Sequence, residues 1–588
     1  MKQFFKFMFA SIAGFFISII ILFILLLAMI TSIMTFAEQE IVDVKENTVL
    51  SIRLNQTIYE RTDNNPFNSA SLFSLTPSNA LGLNDILKNI EKAKYDDKIK
   101  GIYLQLSYIP AGISTIEEIR EALEDFKQSD KFIVCYGEIF SQTPYYLATV
   151  ADEIYFNPEG MMLFKGLNAQ VIFYKGLYDK LAIENQIIRQ GKFKSAIEPY
   201  TQDRMSKESK RQTKKYIDDV WDLMLNTISE SREVSLEKLN EIADDLGVRH
   251  ADDALNYGLV DQLIYKDEML AVLRNKLDLP ENGRIESLSL YSYNNSPKSN
   301  KKFSREKIAV VYASGTILNM EGDDQVVGAQ RISRALRKAR TDKRVKAIVF
   351  RINSGGGDVL ASEIIRREVE LAAEKKPLVA SYGDLSASGG YWATCNATKI
   401  IANRSCLTGS IGVFGIFPNL QGLLNDKLGI TIDNVSTNEN SGFISGTRSF
   451  TPFEREVVSS MIAETYDTFL EYVSNGRDLS KSFVDSIGQG RIWSGEDAIE
   501  LGLIDEFGGL TRAIELAQEL AELEDYRIQE LPVQEDFFLS LMKEITGGAK
   551  ASILEKELGD DYGFIKHLKA IKERKGLQAV VPFEIKID

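Results

Sequence analysis

Two stretches of this 588-residue chain are versions of one another. KGIYLQLSYIPAGISTIEEIREALEDF begins at Lys100 and KAIVFRINSGGGDVLASEIIRREVEL begins at Lys346, an offset of 246 (346 − 100). In that register Ile102 meets Ile348, Leu104 meets Phe350, Glu117 meets Glu363 and Arg120 meets Arg366. CYGEI (Cys135 to Ile139) then meets SYGDL (Ser381 to Leu385), Ile154 meets Ile400 and Asn157 meets Asn403. DALNYGLVD (Asp253 to Asp261) matches DAIELGLID (Asp497 to Asp505) with a slight slip. Agreement over this many elements marks a duplication, so the two halves must fold alike. The repeats are expected at 47–285 and 307–530.

Each half alternates short apolar runs with helical spacing. AIVFRI (Ala347 to Ile352) reads as a buried strand, a glycine turn follows, and ASEIIRREVELAAEK reads as a helix; PLVASYG (Pro377 to Gly383) is the next strand. Strands alternating with helices predict an α/β fold with parallel βαβ units. Functional groups then gather where strands end and helices begin. YSYNNSPKSNKKFSRE, spanning 291–306, is polar and aperiodic and reads as a linker. Residues 531–588 form a C-terminal tail, in which FFLSLM reads as a core or docking helix.

Ahead of the repeats, Phe7 to Phe36 carries no charge. That run exceeds the roughly 20 residues a membrane helix needs and the ~7–15 of a signal-peptide core. The reading is a transmembrane anchor at 7–36, with a long cleaved signal as the alternative. Lys2 and Lys6 precede it and Glu38 and Glu40 follow, which predicts a cytoplasmic N-terminus and exported repeats. A net charge of −15 argues against nucleic acid as a partner. Three cysteines without a CxxC pair and two distant histidines, His250 and His567, predict no metal site. The cysteines read as buried small residues.

The scarcity of histidine bears on GDLSASGGYW (Gly383 to Trp392), where Ser386 or Ser388 could be a nucleophile opening a helix. A serine needs a base, and without histidine the leading choice is a lysine neutralised by burial. RINSGGGDVLASE (Arg351 to Glu363) supplies Gly355 to Gly357 between strand and helix, where bare N–H groups suit an oxyanion or a phosphate. The first repeat has Ile109, Pro110 and Ala111 there, and proline has no N–H to donate. Its SQTPYY (Ser141 to Tyr146) stands in place of SASGGY, with Thr143 opposite Ser388 and Pro144 opposite Gly389. The first repeat in turn has Lys194, between Phe193 and Ser195 and followed by Ala196 and Ile197; the corresponding region near Ser441 has no lysine. The halves are complementary.

These stretches resemble the long form of the signal peptide peptidase A family, also called protease IV, over nearly the whole chain. GKFKSAIEPY (Gly191 to Tyr200) is similar to the family's lysine motif, INSGGGDVLASE to its oxyanion-side turn and SASGGYW to its nucleophile motif. LTGSIGV (Leu407 to Val413) and GRIWSGEDAIELGLID (Gly490 to Asp505) are also family-like. The resemblance implies two tandem ClpP/crotonase-like domains and a serine protease with a Ser/Lys dyad. It implies Ser388 as nucleophile, Lys194 as general base, and Ser410 supporting the lysine. It assigns the oxyanion to N–H groups of Gly389, Gly356 and Gly357. The family often has proline where this chain has Gly355, which loosens the turn. The resemblance further implies remnant signal peptides as substrates, a homotetramer on the cytoplasmic membrane with extracytoplasmic domains, and no cofactor. Alkaline preference is expected from a lysine base. A crotonase-type acyl-CoA enzyme and an inactive membrane scaffold are the rival readings.

Overall fold

The computed structural model describes residues 2–37, 42–63, 80–297, 304–534 and 577–581. The first repeat is built on six strands in the order Gln262–Leu263, Glu153–Met162, Phe132–Phe140, Ile99–Gln105, Thr48–Ile52 and Ser287–Ser289. Every neighbouring pair is parallel. In the second repeat, Glu506–Phe507, Lys399–Ala402, Leu378–Ala387, Val345–Ser354, Lys307–Ser314 and Arg527–Leu531 follow the same order, again all parallel. Three strand pairs keep the sequence offset: 99 with 345, 132 with 378, and 153 with 399, each 246 apart. Ile102, Leu104, Ile348 and Phe350 have no exposed surface. That burial is what a parallel sheet covered on both faces requires, and it explains the continuous apolar runs in the sequence. The second sheet gains two further strands, Leu407–Gly409 and Ile492–Ser494, beside the end of Leu378–Ala387.

A third sheet joins the repeats. Its order is Val326–Gly328, Thr316–Leu318, Gly356–Asp358, Leu577–Val580, Val413–Asn419 and Glu184–Gln190. Glu184–Gln190 belongs to the first repeat and runs antiparallel to Val413–Asn419 over seven residue pairs, from Glu184 opposite Asn419 to Gln190 opposite Val413. Backbone hydrogen bonding therefore fixes the register of one repeat against the other.

Buried polar contacts reinforce that join. The first-repeat helix Ile113–Lys127 points its N-terminal turns into the second repeat. Asp384 accepts from the backbone N and the hydroxyl of Thr115, both at 2.9 Å. Ser405 donates to Glu117 Oε2 at 2.6 Å, and Glu118 Oε2 accepts from the backbone N of Leu510 at 2.7 Å. Arg351, fully buried in the strand Val345–Ser354, donates to Glu60 and Glu118 of the first repeat, each at 2.6 Å. A buried guanidinium needs such partners to offset its desolvation.

The N-terminal helix runs Lys2–Ala37, and within it Gln3–Leu22 is long and apolar enough to cross a membrane. Cys135, Cys395 and Cys406 are free and buried, as the sequence suggested. The expected linker at 291–306 is partly packed structure. Leu290–Asn294 is a helical turn, and Tyr293 is fully buried with its hydroxyl donating to Asp96 Oδ2 at 2.9 Å. The polar spelling of YSYNN hid a tyrosine whose ring is covered and whose hydroxyl is satisfied. The FFLSLM segment lies outside the described residues. From the tail, Leu577–Val580 is a strand of the joining sheet.

Candidate active site

Lys194 and Ser388 meet at the join between the repeats. Lys194 Nζ lies 2.6 Å from Ser388 Oγ. It donates to the Ser410 carbonyl oxygen at 3.1 Å and to Ser410 Oγ at 3.0 Å. All three residues have no exposed surface. No carboxylate is among these contacts, and desolvation pushes the lysine well below its ordinary range. A buried amine without a counter-ion favours its neutral form, which can take a proton from a hydroxyl.

Local backbone geometry holds the amine there. Lys194 follows the strand Glu184–Gln190 by way of Gly191, whose φ of +103 turns the chain inward. Phe193 N–H then donates to the Gln489 carbonyl at 2.9 Å. Gly490, at φ +79, passes so close that a Cβ on it would stand 2.6 Å from Lys194 Cβ. Gln212, from the helix Lys207–Arg232, ties the arrangement together. Its amide donates to the Phe193 carbonyl (3.1 Å) and to Ser195 Oγ (2.7 Å), and its oxygen accepts from the backbone N of Ile492 (3.2 Å). Nothing in the sequence singled out Gln212, which sits in a helix of ordinary polar spelling.

Ser388 stands where the strand Leu378–Ala387 turns into the short helix Gly389–Thr394, with φ +56 and ψ −113. A positive φ at a non-glycine residue is strained and is retained where the surroundings over-determine it. Here the backbone N of Ser388 donates to the Gly409 carbonyl (2.8 Å), and Ser388 O accepts from Trp392 N (2.8 Å). The following glycines allow close approach: a Cβ on Gly390 would lie 2.8 Å from the Ser354 carbonyl, and one on Gly389 3.0 Å from Gly357 N. Gly356 has φ +93, and a Cβ there would meet Gly389 N at 2.5 Å. Gly389, Gly356 and Gly357 thus converge beside the Ser388 turn, where the Gly356 N–H donates to Ser354 Oγ at 3.1 Å and no side chain shields the N–H groups of Gly389 and Gly357. The adjoining helix Val359–Ala373 is N-capped by Asp358, whose Oδ1 accepts from Ala361 N at 2.8 Å.

The competing sequence readings separate here. Ser386 is equally buried, yet its hydroxyl has no partner among the described residues, and the Lys194 amine bonds Ser388 instead. His250 begins the helix Ala251–Asn256 on the exposed surface, where its backbone N donates to Asp253 Oδ2 (2.9 Å). His567 lies outside the described residues. Among the described residues no cluster of His, Cys, Asp and Glu could hold a metal. At the matching turn of the first repeat, Ile109 is buried, the Ile109 carbonyl accepts from Ala111 N (3.0 Å), and the Pro110 carbonyl accepts from Ile58 N (3.5 Å). That turn is closed by its own chain.

Comparison with known proteins agrees with this division. The family model described as peptidase family S49 matches residues 125–280 and 370–524, one segment in each repeat and together more than half of the chain. Protease 4 of Haemophilus influenzae is 35% identical over 76% of this chain and 75% of its own length. Protease 4 of Salmonella typhi is 34% identical, covering 80% of this chain and 77% of its own. A chloroplastic serine protease SPPA of Arabidopsis thaliana is 31% identical over 82% and 70%. Among solved structures, a ClpP1 variant from Listeria monocytogenes is 15% identical and covers 35% of this chain and 94% of its own, at a TM-score of 0.24. The two repeated sheets, the paired family segments and the extended likeness to Protease 4 have one reading: this chain belongs to peptidase family S49 and is a serine protease.

Proposed function

We propose that the chain is a membrane-anchored endopeptidase working by a Ser388/Lys194 dyad. The observation that carries the reading is the 2.6 Å contact between a counter-ion-free, fully buried lysine and a hydroxyl on a strained strand-to-helix turn. Neutral Lys194 takes the proton of Ser388 as Oγ attacks the scissile carbonyl. N–H groups of Gly389 and of the Gly356–Gly357 turn hold the oxyanion. Lys194 then protonates the leaving amine, and water hydrolyses the acyl-enzyme by the reverse relay. Ser410 positions the amine: its carbonyl and hydroxyl oxygens accept the two N–H groups of the neutral lysine, which leaves the nitrogen lone pair facing the Ser388 hydroxyl.

The natural substrates in this reading are remnant signal peptides, and the N-terminal helix anchors the enzyme beside them with the repeats outside the cytoplasm. Lys2 and Lys6 ahead of the apolar run support that orientation. The assembly is a homotetramer. Leu428, Ile430, Ile432 and Val435, all exposed in the isolated chain, form an apolar stretch suited to an interface. The test is peptidase activity on a signal-peptide-like fluorogenic substrate for wild type, Ser388→Ala and Lys194→Ala, each checked for folding by circular dichroism. Loss in both variants is expected. Full activity in folded Lys194→Ala would refute the cross-repeat base.

A further inference from the structure

The net charge of −15 is not spread evenly over the chain. The helix Lys207–Arg232, which follows the lysine loop, opens with KESKRQTKK, five cations and one glutamate. Its counterpart in the second repeat is Pro452–Arg477, also of 26 residues, whose N-cap Thr451 stands 245 beyond Ser206 (451 − 206). That helix opens with PFEREVVSS, one arginine and two glutamates. The basic face belongs to the repeat that carries Lys194.

Lys207, Lys210, Arg211 and Lys214 fall at i, i+3, i+4 and i+7, which makes them one stripe of the helix. All four are exposed, while Ser209, Gln212, Thr213 and Tyr216 are buried. Lys214 is neutralised locally by Asp218 (2.7 Å), and Lys215 by Asp219 (2.6 Å) and Asp497 (2.7 Å). Lys207, Lys210 and Arg211 make no ion pair among the described residues, with Glu208 or any other carboxylate.

The patch continues to the base loop. Lys192 Nζ and Arg491 Cζ lie 5.8 and 5.4 Å from the centre of the Phe193 ring, and Arg491 stacks on Trp493 at 3.8 Å. Neither cation makes an ion pair among the described residues, and Arg491 Nε has no hydrogen-bond partner there. Burial and the nearby charge of Arg211 lower the Arg491 guanidinium from its ordinary range. Phe193 directly precedes Lys194, and Gln212, on the inner side of the basic helix, holds its carbonyl. Like charges gathered without counter-ions, in a chain with an excess of acid, suit an anionic surface brought from outside.

We propose that Lys192, Lys207, Lys210, Arg211 and Arg491 dock the first repeat on anionic phospholipid headgroups and so seat the base loop against the membrane. The chain carries a helix able to cross a bilayer at Gln3–Leu22, which tethers the repeats within reach of such a surface. Each basic residue near an anionic bilayer is worth roughly fivefold in partitioning, and the attraction decays within about 8 Å at physiological salt. Docking there favours a peptide that lies in the bilayer over one free in water. Lipid binding needs no dyad, whereas the gain in KM rests on the dyad reading above.

Full-length protein in phosphatidylcholine liposomes, with or without phosphatidylglycerol, tests this when its lysines are labelled by a water-soluble acetylating reagent and read by mass spectrometry. With phosphatidylglycerol, Lys192, Lys207 and Lys210 are expected to react several-fold more slowly, a difference lost in about 1 M salt. Lys338, exposed on the second repeat, is expected to react alike in both. Equal labelling of the three lysines in both liposomes overturns the docking. Equal protection in phosphatidylcholine by inorganic phosphate or by polyglutamate overturns lipid as the occupant. The triple variant Lys207→Glu, Lys210→Glu, Arg211→Glu is expected to raise the KM for a membrane-inserted signal peptide several-fold at similar kcat, and to cut a soluble fluorogenic peptide as wild type does. Lys207→Arg with Lys210→Arg is expected to keep the wild-type KM. An unchanged KM in the folded triple variant, or a KM raised equally for both peptides, overturns the link from docking to catalysis. A wild type protected by phosphatidylglycerol that cuts neither peptide supports the docking and overturns the dyad reading.

Discussion

The two repeats share one order of six core strands and differ at the turn that follows the second of them in the chain. After its second core strand the C-terminal repeat has Gly355–Gly357, open to a peptide; the N-terminal repeat has Ile109–Ala111, closed by Ile58. The helix that follows this turn in the N-terminal repeat, Ile113–Lys127, serves a different end. Ser114, Thr115, Glu117 and Glu118 on its first turns grip Ser405, Asp384 and Arg351 beneath the other repeat's site. The N-terminal repeat also sends Lys194 across on the shared sheet. In the proposed mechanism the same strand-to-helix junction does chemistry in one copy, while in the other it docks the repeats. Neither copy holds both members of the proposed dyad.

The comparison breaks most severely at the dyad. Ser388→Ala and Lys194→Ala are each expected to lower kcat by about 10⁴-fold or more, and the double variant no further, because the two act as a unit. Steady-state kinetics on the three proteins checks this. Protons should break it reversibly. The proposed base, Lys194, acts when deprotonated, so activity is expected to rise with pH and to level off above its titration. Burial depresses that titration, so the plateau is expected below the range of a free lysine, and each unit below it costs about tenfold. The alkaline preference anticipated from lysine chemistry is shifted toward neutrality to that extent. A profile still rising at pH 10.5 would contradict a depressed lysine.

Between the repeats, Arg351→Ala strands the buried carboxylates of Glu60 and Glu118. A loss of about 3–5 kcal/mol in urea unfolding is expected. At the turn itself, Gly356→Ala places a methyl against Gly389 N at positive φ, and kcat is expected to fall by about 10²–10³. Ala111→Gly, at the matching turn of the other repeat, should leave activity unchanged; a comparable loss there would refute the division of labour. The smallest loss within the site is expected from Ser410→Ala, which removes one of three contacts to the Lys194 amine and lowers kcat by about tenfold. Its pH–rate limb should move, which a merely structural role would not produce.

Much of this was legible before any coordinates. The duplication made the shared order of six core strands legible, because like patterns of apolar runs and helical spacing bury themselves alike. The missing histidine base, the glycine turn and the complementary lysine pointed to the residues that the fold brings together. Arg351 was read as part of the apolar run AIVFRI, and its buried partners Glu60 and Glu118 emerged only in the fold. What the linear chain could not specify is register between distant segments. Whether Lys194 reaches Ser388 depends on seven pairs between Glu184–Gln190 and Val413–Asn419, and on glycines at 191 and 490 with positive φ. Gln212 and Tyr293 look like ordinary helix and linker residues until their neighbours are known. The strand Leu577–Val580 is too short to announce itself, and only the open edges on either side of it make it a strand. Local patterning determined the repeats and the residue types of the site; long-range hydrogen bonding, which carries no local signature, decided their meeting.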